Sequence, residues 1–220
     1  MPDPVVSVVI PCYKMERYLP AFLSSLHGFP TDDVEFIFII DGIVDSSESI
    51  LRGFEKSNQD MVVKICVQQN QGVAAARNKG IALSRGLWLT FPDPDDILES
   101  SYFSDVIHFL RTRDSESLAM LITRIVGFSN STGRIIDDAS DRWKFHGRGT
   151  EIIDISSNPE YFQLEVGNVF FKRALVVESS VQFDSRLHSG EDAKFIASYL
   201  LASPCHEIAF LKDTKYYYGF

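Results

Sequence analysis

Phe91-Pro92-Asp93-Pro94-Asp95-Asp96 puts three carboxylates into four positions directly after an apolar run. Carboxylates this close repel one another, and a cation relieves that repulsion. Hard divalent ions such as Mg²⁺ and Mn²⁺ take oxygen ligands, and Mg²⁺ typically keeps waters and shares one or two carboxylates with substrate phosphates. The competing role is helix capping, because Asp95 or Asp96 can accept free amides ahead of a following helix. Asp41-Gly42 and Asp45 offer a second acidic point. There a carboxylate can meet ribose hydroxyls or a base amide, or it can serve a turn and an N-cap. Gly190-Glu191-Asp192 is a third, with two acids where a helix dipole keeps them ionised. Arg77 stands in Ala74-Ala75-Ala76-Arg77-Asn78-Lys79-Gly80, a run whose small residues allow close packing. Its guanidinium suits a carboxylate cluster or a phosphate, and the alternative is a solvated helix-face charge. His188 reads as an ordinary loop residue. Arg142, Lys144, His146 and Arg148, interleaved with Trp143 and Phe145, read as a solvated loop or a lid over an anionic acceptor.

These groups need elements to bring them together. Val5 to Ile10 is a β-branched run apolar on both faces, the pattern of a strand covered by helices on each side. Met15, Leu19, Phe22, Leu23 and Leu26 follow at helical spacing, with Pro20 near the first turn. The unit repeats: strand Val34 to Ile40 and helix Asp45 to Phe54, strand Val62 to Val67 and helix Gly72 to Leu83, then a strand Leu87 to Phe91. Such alternation predicts crossover units and a parallel sheet, with a ligand crevice outside the carboxyl ends of the strands. The loops beginning at Pro11, Asp41, Gln68 and Pro92 then share one rim. Beyond it the spacing predicts a helix over 102–110, a strand over 118–126, a helix over 191–201 and a strand over 214–218.

Composition narrows the function classes. The 220 residues are 45% hydrophobic and 23% charged, the profile of one globular domain. A net charge of −9 argues against nucleic acid, whose binders cluster Lys and Arg against phosphates. Cys12, Cys66 and Cys205 stand singly, fitting neither a metal pattern nor a secreted disulfide framework, so a reducing, cytoplasmic setting is expected. No run reaches the roughly 18 apolar residues of a membrane span, and no signal core is visible.

The order of the motifs is more specific than any one of them. Val-Ser-Val-Val-Ile-Pro-Cys-Tyr from residue 6, Ile-Ile-Asp-Gly from 39, Asn-Gln-Gly-Val-Ala-Ala-Ala-Arg-Asn-Lys-Gly from 70, Asp-Pro-Asp-Asp from 93 and Gly-Glu-Asp from 190 strongly resemble family 2 glycosyltransferases of the GT-A fold. The resemblance implies an α/β domain with a mixed, mostly parallel sheet flanked by helices. A Rossmann-like nucleotide-binding half, residues 1–98, would be fused to an acceptor-binding half, residues 99–220. It implies transfer of a sugar from a nucleotide diphosphate, most often UDP, with inversion. By motif, Pro11, Cys12 and Tyr13 line the base pocket, Asp41 and Asn70 belong to the donor site, and Arg77 braces it. Asp93 lies near the ribose and Asp95 holds Mn²⁺ or Mg²⁺. Asp192 is the general base, with Glu191 supporting the acceptor.

The chain departs from the family pattern at Ile40, where Asp is usual, at Lys14, where Asn is common, and at Pro94 inside the acidic element. The segments 168–175, 190–192 and 216–218 look like the bacterial branch acting on teichoic acids, capsules and other cell-surface polymers. The resemblance thus implies a glycan or polyol-phosphate acceptor at the cytoplasmic side of a membrane, with peripheral attachment through other regions. The apolar ending Tyr216 to Phe220 points to a domain cut from a longer protein, whose missing part would then supply any further ligand. Two rivals stand beside this reading. A nucleotidyltransferase requires a Gly- and basic-rich loop after the first strand, where this chain has Pro11-Cys12-Tyr13-Lys14. A silent nucleotide-sugar-binding domain has no use for both Asp95 and Asp192.

Overall fold

A computed structural model describes residues 3–29, 32–113, 116–136 and 148–220. The apolar runs of the first half form β1 (Val6–Cys12), β2 (Val34–Asp41), β3 (Val62–Gln68) and β4 (Trp88–Thr90), all pairing in parallel in the order β3-β2-β1-β4. Between them run α1 (Leu19–Ser25), α2 (Ser47–Ser57) and α3 (Val73–Leu83). The period-2 pattern divides the strands between two cores. Val8, Ile10, Phe36 and Phe38 face α1 and α2, whereas Val9, Ile37 and Ile39 face α3. α1 starts four residues later than Met15, with Pro20 in its first turn where no amide is needed.

The second half extends the same sheet rather than starting another. β5 (Ile97–Leu98), α4 (Tyr102–Thr112), β6 (Leu118–Phe128), β7 (Thr150–Asp154), β8 (Val169–Lys172), α5 (Arg173–Glu178), α6 (Glu191–Ala202) and β9 (Glu207–Gly219) complete the described strands and α-helices. β8 joins β4 antiparallel and leads on through β6 to β9, which carries β5 and β7 on its far side. The last strand is far longer than the 214–218 expected from its tyrosines. A shift in its register between Thr123↔Leu211 and Arg124↔Lys215 lets two segments of different pattern act as one strand. β7 and β8 lie in stretches too short and irregular for periodicity to mark.

α3 lies unusually close to the sheet. A Cβ on Gly80 would come within 2.1 Å of Val9 Cγ1, so the absence of a side chain sets the distance between helix and β1. That approach lowers Arg77, one turn earlier, toward the sheet's carboxyl rim.

Candidate active site

The predicted rim forms. Pro11, Cys12 and Tyr13 at the end of β1, Asp41 at the end of β2, Asn70 after β3, and Asp93 and Asp95 after β4 open into one cavity of about 430 Å³. Cys12 is buried, its thiol donating to the Ile10 carbonyl at 3.7 Å, and burial pushes its pKa well up, so it is not a nucleophile. Lys14 takes a left-handed φ of 57°, the region where Asn is enriched. The Lys14 departure therefore falls on a backbone position, and its side chain lies over the Tyr13 ring at 5.1 Å.

Asp41 is both buried and fully engaged. Its Oδ1 accepts Gln68 Nε2 at 2.8 Å and the Gln71 amide at 2.9 Å, and its Oδ2 accepts the Gly72 amide at 2.8 Å. It thus anchors the loop carrying Asn70 into α3 while facing the cavity. Asp45 does the capping work instead: it accepts the Ser47 amide at 3.0 Å and the Glu16 amide at 3.1 Å. Burial would raise its pKa, but the bonds from Ser47 and Glu16 prevail and hold it low.

Arg77 is only 3% exposed, which removes the solvated alternative. Its Nη1 donates to Asp192 Oδ1 at 2.6 Å and lies 3.9 Å from Glu191 Oε1, and its Nη2 reaches Asp93 at 3.0 and 3.3 Å. One guanidinium therefore joins the acid after β4 to the acids opening α6. It also lies over the Phe183 ring at 5.3 Å. Asn78, next on α3, holds that ring's backbone in both directions, at 2.8 and 2.9 Å.

Electrostatics separate the acids. Burial pushes the Asp192 carboxyl up to about 6, and Asp93 and Glu191 push the same way against the pull of Arg77. Burial, then the charge of Asp93, also raises Asp95. Asp96 is buried and lifted well above the carboxylate range by burial and Asp93, against hydrogen bonds from Tyr216 and the Gly219 amide. The capping role considered for Asp95 and Asp96 does not occur, because α4 begins at Tyr102. For Glu191 and Asp192 both readings coincide: they occupy the first turn of α6 and they meet Arg77.

The donor set can take a hard divalent ion. Two carboxylates, one of them raised by burial and by the charge of the other, open into a space where substrate oxygens and waters would complete the shell. Among the described residues no group of three or more His, Cys, Asp or Glu is disposed to hold a metal unaided. His188 and Arg148 are exposed. Arg142, Trp143, Lys144, Phe145 and His146 lie outside the described residues. Sequence reasoning missed the part of Tyr216, whose hydroxyl meets both Asp96 and the Asp93 amide. The only signal was alternation in Tyr216-Tyr217-Tyr218, which turns the first and third inward.

The model of the family described as glycosyl transferase family 2 matches residues 7–175, over most of the chain and across the whole cavity rim. The chain belongs to that family. Among the proteins it is similar to, the minor teichoic acid biosynthesis protein GgaB of Bacillus subtilis is 26% identical over 216 residues, 96% of this chain and 22% of that protein. GgaA of the same organism is 28% identical over 218 residues, 96% of this chain and 46% of that protein. The chain thus spans less than half the length of these relatives. The crystal structure of S. aureus TarS 1–349 in complex with UDP-GlcNAc superposes with a TM-score of 0.81 at 22% identity, covering 98% of this chain and 58% of that one. The family 2 chain therefore has the GT-A fold that its motifs implied.

Proposed function

We propose that this family 2 domain transfers a sugar from a UDP-sugar to a hydroxyl of a cell-surface glycan or polyol-phosphate polymer, with inversion at the anomeric carbon. The observation that carries the reading is the Arg77 bridge, which sets the raised carboxylate of Asp192 beside the donor cavity. The relatives' names support the acceptor class, since GgaB and GgaA are named for minor teichoic acid biosynthesis and another relative is a poly(ribitol-phosphate) β-glucosyltransferase from Bacillus spizizenii. TarS, crystallised with UDP and with UDP-GlcNAc, supports the donor class.

In this reading the halves 1–98 and 99–220 work as one catalytic unit. Pro11, Cys12, Tyr13, Asp41 and Asn70 hold the nucleoside, and Asp93 lies toward the ribose. Asp95 would hold Mn²⁺ or Mg²⁺ against the diphosphate. A cation there supplies positive charge to the leaving group. Asp192, ionised above its raised pKa, takes the acceptor hydroxyl proton while the oxygen attacks the face opposite the diphosphate, and Glu191 orients the acceptor. Arg77 holds Asp192 and Asp93 at the spacing this requires. No described helix is long and apolar enough to cross a membrane. We place the reaction on the cytoplasmic side, where the acceptor polymer meets the nucleotide sugar.

Calorimetric titration of UDP, CDP and GDP, each with Mn²⁺ and again with EDTA, tests the donor site. UDP binding that requires the metal and is lost in Asp95→Ala supports it. Failure of every nucleotide to bind, or metal-dependent binding untouched by Asp95→Ala, overturns it.

A further inference from the structure

Asp96 is 3% exposed and commits both carboxylate oxygens to β9, a strand more than a hundred positions later in the chain. Its Oδ2 accepts the Tyr216 hydroxyl, and its Oδ1 accepts the Gly219 amide at 2.8 Å. The same hydroxyl accepts the Asp93 amide at 3.3 Å, and the Asp96 amide closes the turn onto the Asp93 carbonyl at 3.1 Å. Gly167 makes room for this junction, because a Cβ there would come within 2.5 Å of the Tyr216 oxygen. β5 then pairs Ile97 and Leu98 with Tyr217 and Tyr216. The acidic turn is therefore held by the last strand of the sheet and not by the helix that follows it.

The junction ends on the Asp93 amide, so it reaches the first acid of the turn directly. That residue's carboxylate faces the donor cavity and takes both bonds from Arg77 Nη2. We infer that Tyr216 is a positioning residue for the donor diphosphate: its hydroxyl, seated on Asp96, fixes the turn so that Asp93 and Asp95 present their carboxylates together. This rests on the donor-site reading above. A shift of the turn would leave the base pocket of Pro11, Tyr13 and Asp41 in place and loosen the end where Asp93 meets the ribose and Asp95 the diphosphate.

Tyr216→Phe keeps the ring and deletes the hydroxyl. Asp96→Asn keeps the volume but cannot accept from both Tyr216 and Gly219, and serves if the first variant folds poorly. Calorimetry with UDP and with uridine, in Mn²⁺, reads the effect alongside binding stoichiometry. The expected result is UDP affinity about tenfold weaker at unchanged stoichiometry, with uridine, which meets Asp93 but not Asp95, weakened less. Unchanged UDP affinity in both variants overturns the inference. So does lower stoichiometry at constant affinity, because a merely structural contact removes folded molecules without altering those that remain. If the unsubstituted chain binds neither ligand, the donor-site reading falls and this inference with it.

Discussion

Arg77 Nη1 donates to Asp192 Oδ1 at 2.6 Å across 115 positions of sequence, joining the third helix to the sixth through one buried guanidinium. A second carboxylate, Asp93, takes the other nitrogen. Replacing the arginine leaves these acids facing one another with no countercharge, and breaking a buried pair typically costs about 3 to 5 kcal/mol. Arg77→Ala is expected near the low end of that range in urea unfolding, because Asp93 and Asp192 keep some solvent access. The proposed sugar transfer is expected to fall at least about a hundredfold as the proposed base, Asp192, loses its position. Arg77→Lys keeps the charge but not the fork, and should recover stability better than rate.

Asp192 has the acid pKa that matters for the pH profile. As the proposed base it would work deprotonated, so kcat/KM is expected to be constant at neutral pH and to decline about tenfold per unit once pH drops below about 6. Asp192→Asn should lower transfer by about a thousandfold, within the usual range for a general base, while UDP affinity stays. A profile without that acid limb assigns the base elsewhere.

Gly80 tests whether the approach of α3 to the sheet positions the site. Alanine improves helix propensity by up to about 1 kcal/mol, yet its Cβ would meet Val9 Cγ1 at 2.1 Å. Overpacking of this kind costs about 1 to 3 kcal/mol, so Gly80→Ala is expected to destabilise on balance and to reduce transfer by moving Arg77. Adding Val9→Ala removes the obstructing methyls, and the double variant should regain rate relative to Gly80→Ala alone.

Glu35 lies at the opposite end of the strands and bears on stability only. Its fully buried carboxylate accepts Ser7 Oγ at 2.6 Å, Lys64 Nζ at 2.7 Å and the Arg85 amide at 2.6 Å. Burial would raise its pKa, but Lys64, Ser7 and Arg85 outweigh it and the net shift is downward. A depressed pKa stabilises the fold at pH above the unfolded value near 4.5 and loses that contribution as pH falls toward the folded one. Glu35→Gln should cost about 2 to 4 kcal/mol at pH 7, and the gap to the unsubstituted chain should narrow in urea titrations near pH 4.

Periodicity, turn chemistry and residue type are local properties, and they were enough for the parallel half of the sheet. Val6 to Ile10, Phe36 to Ile40 and the Ala-rich run before Gly80 each carry their period in consecutive residues, so their strands and helix are legible without the fold. Parallel pairing then forces the carboxyl ends together, which is why Pro11, Asp41, Asn70 and Asp93 share a cavity as expected. Local pattern could not choose between capping and chemistry for an acid. Asp45 and Asp95 are the same residue type in similar loops, and only their neighbours distinguish a cap from a cavity wall. Nor could it reveal that Arg77 is buried, because burial depends on Asp192 and Phe183 arriving from another part of the chain. Tyr216 is the extreme case. Its role depends on a register shift that lengthens β9 and on the place of β5 beside it, so Asp96 meets it only once the sheet has closed.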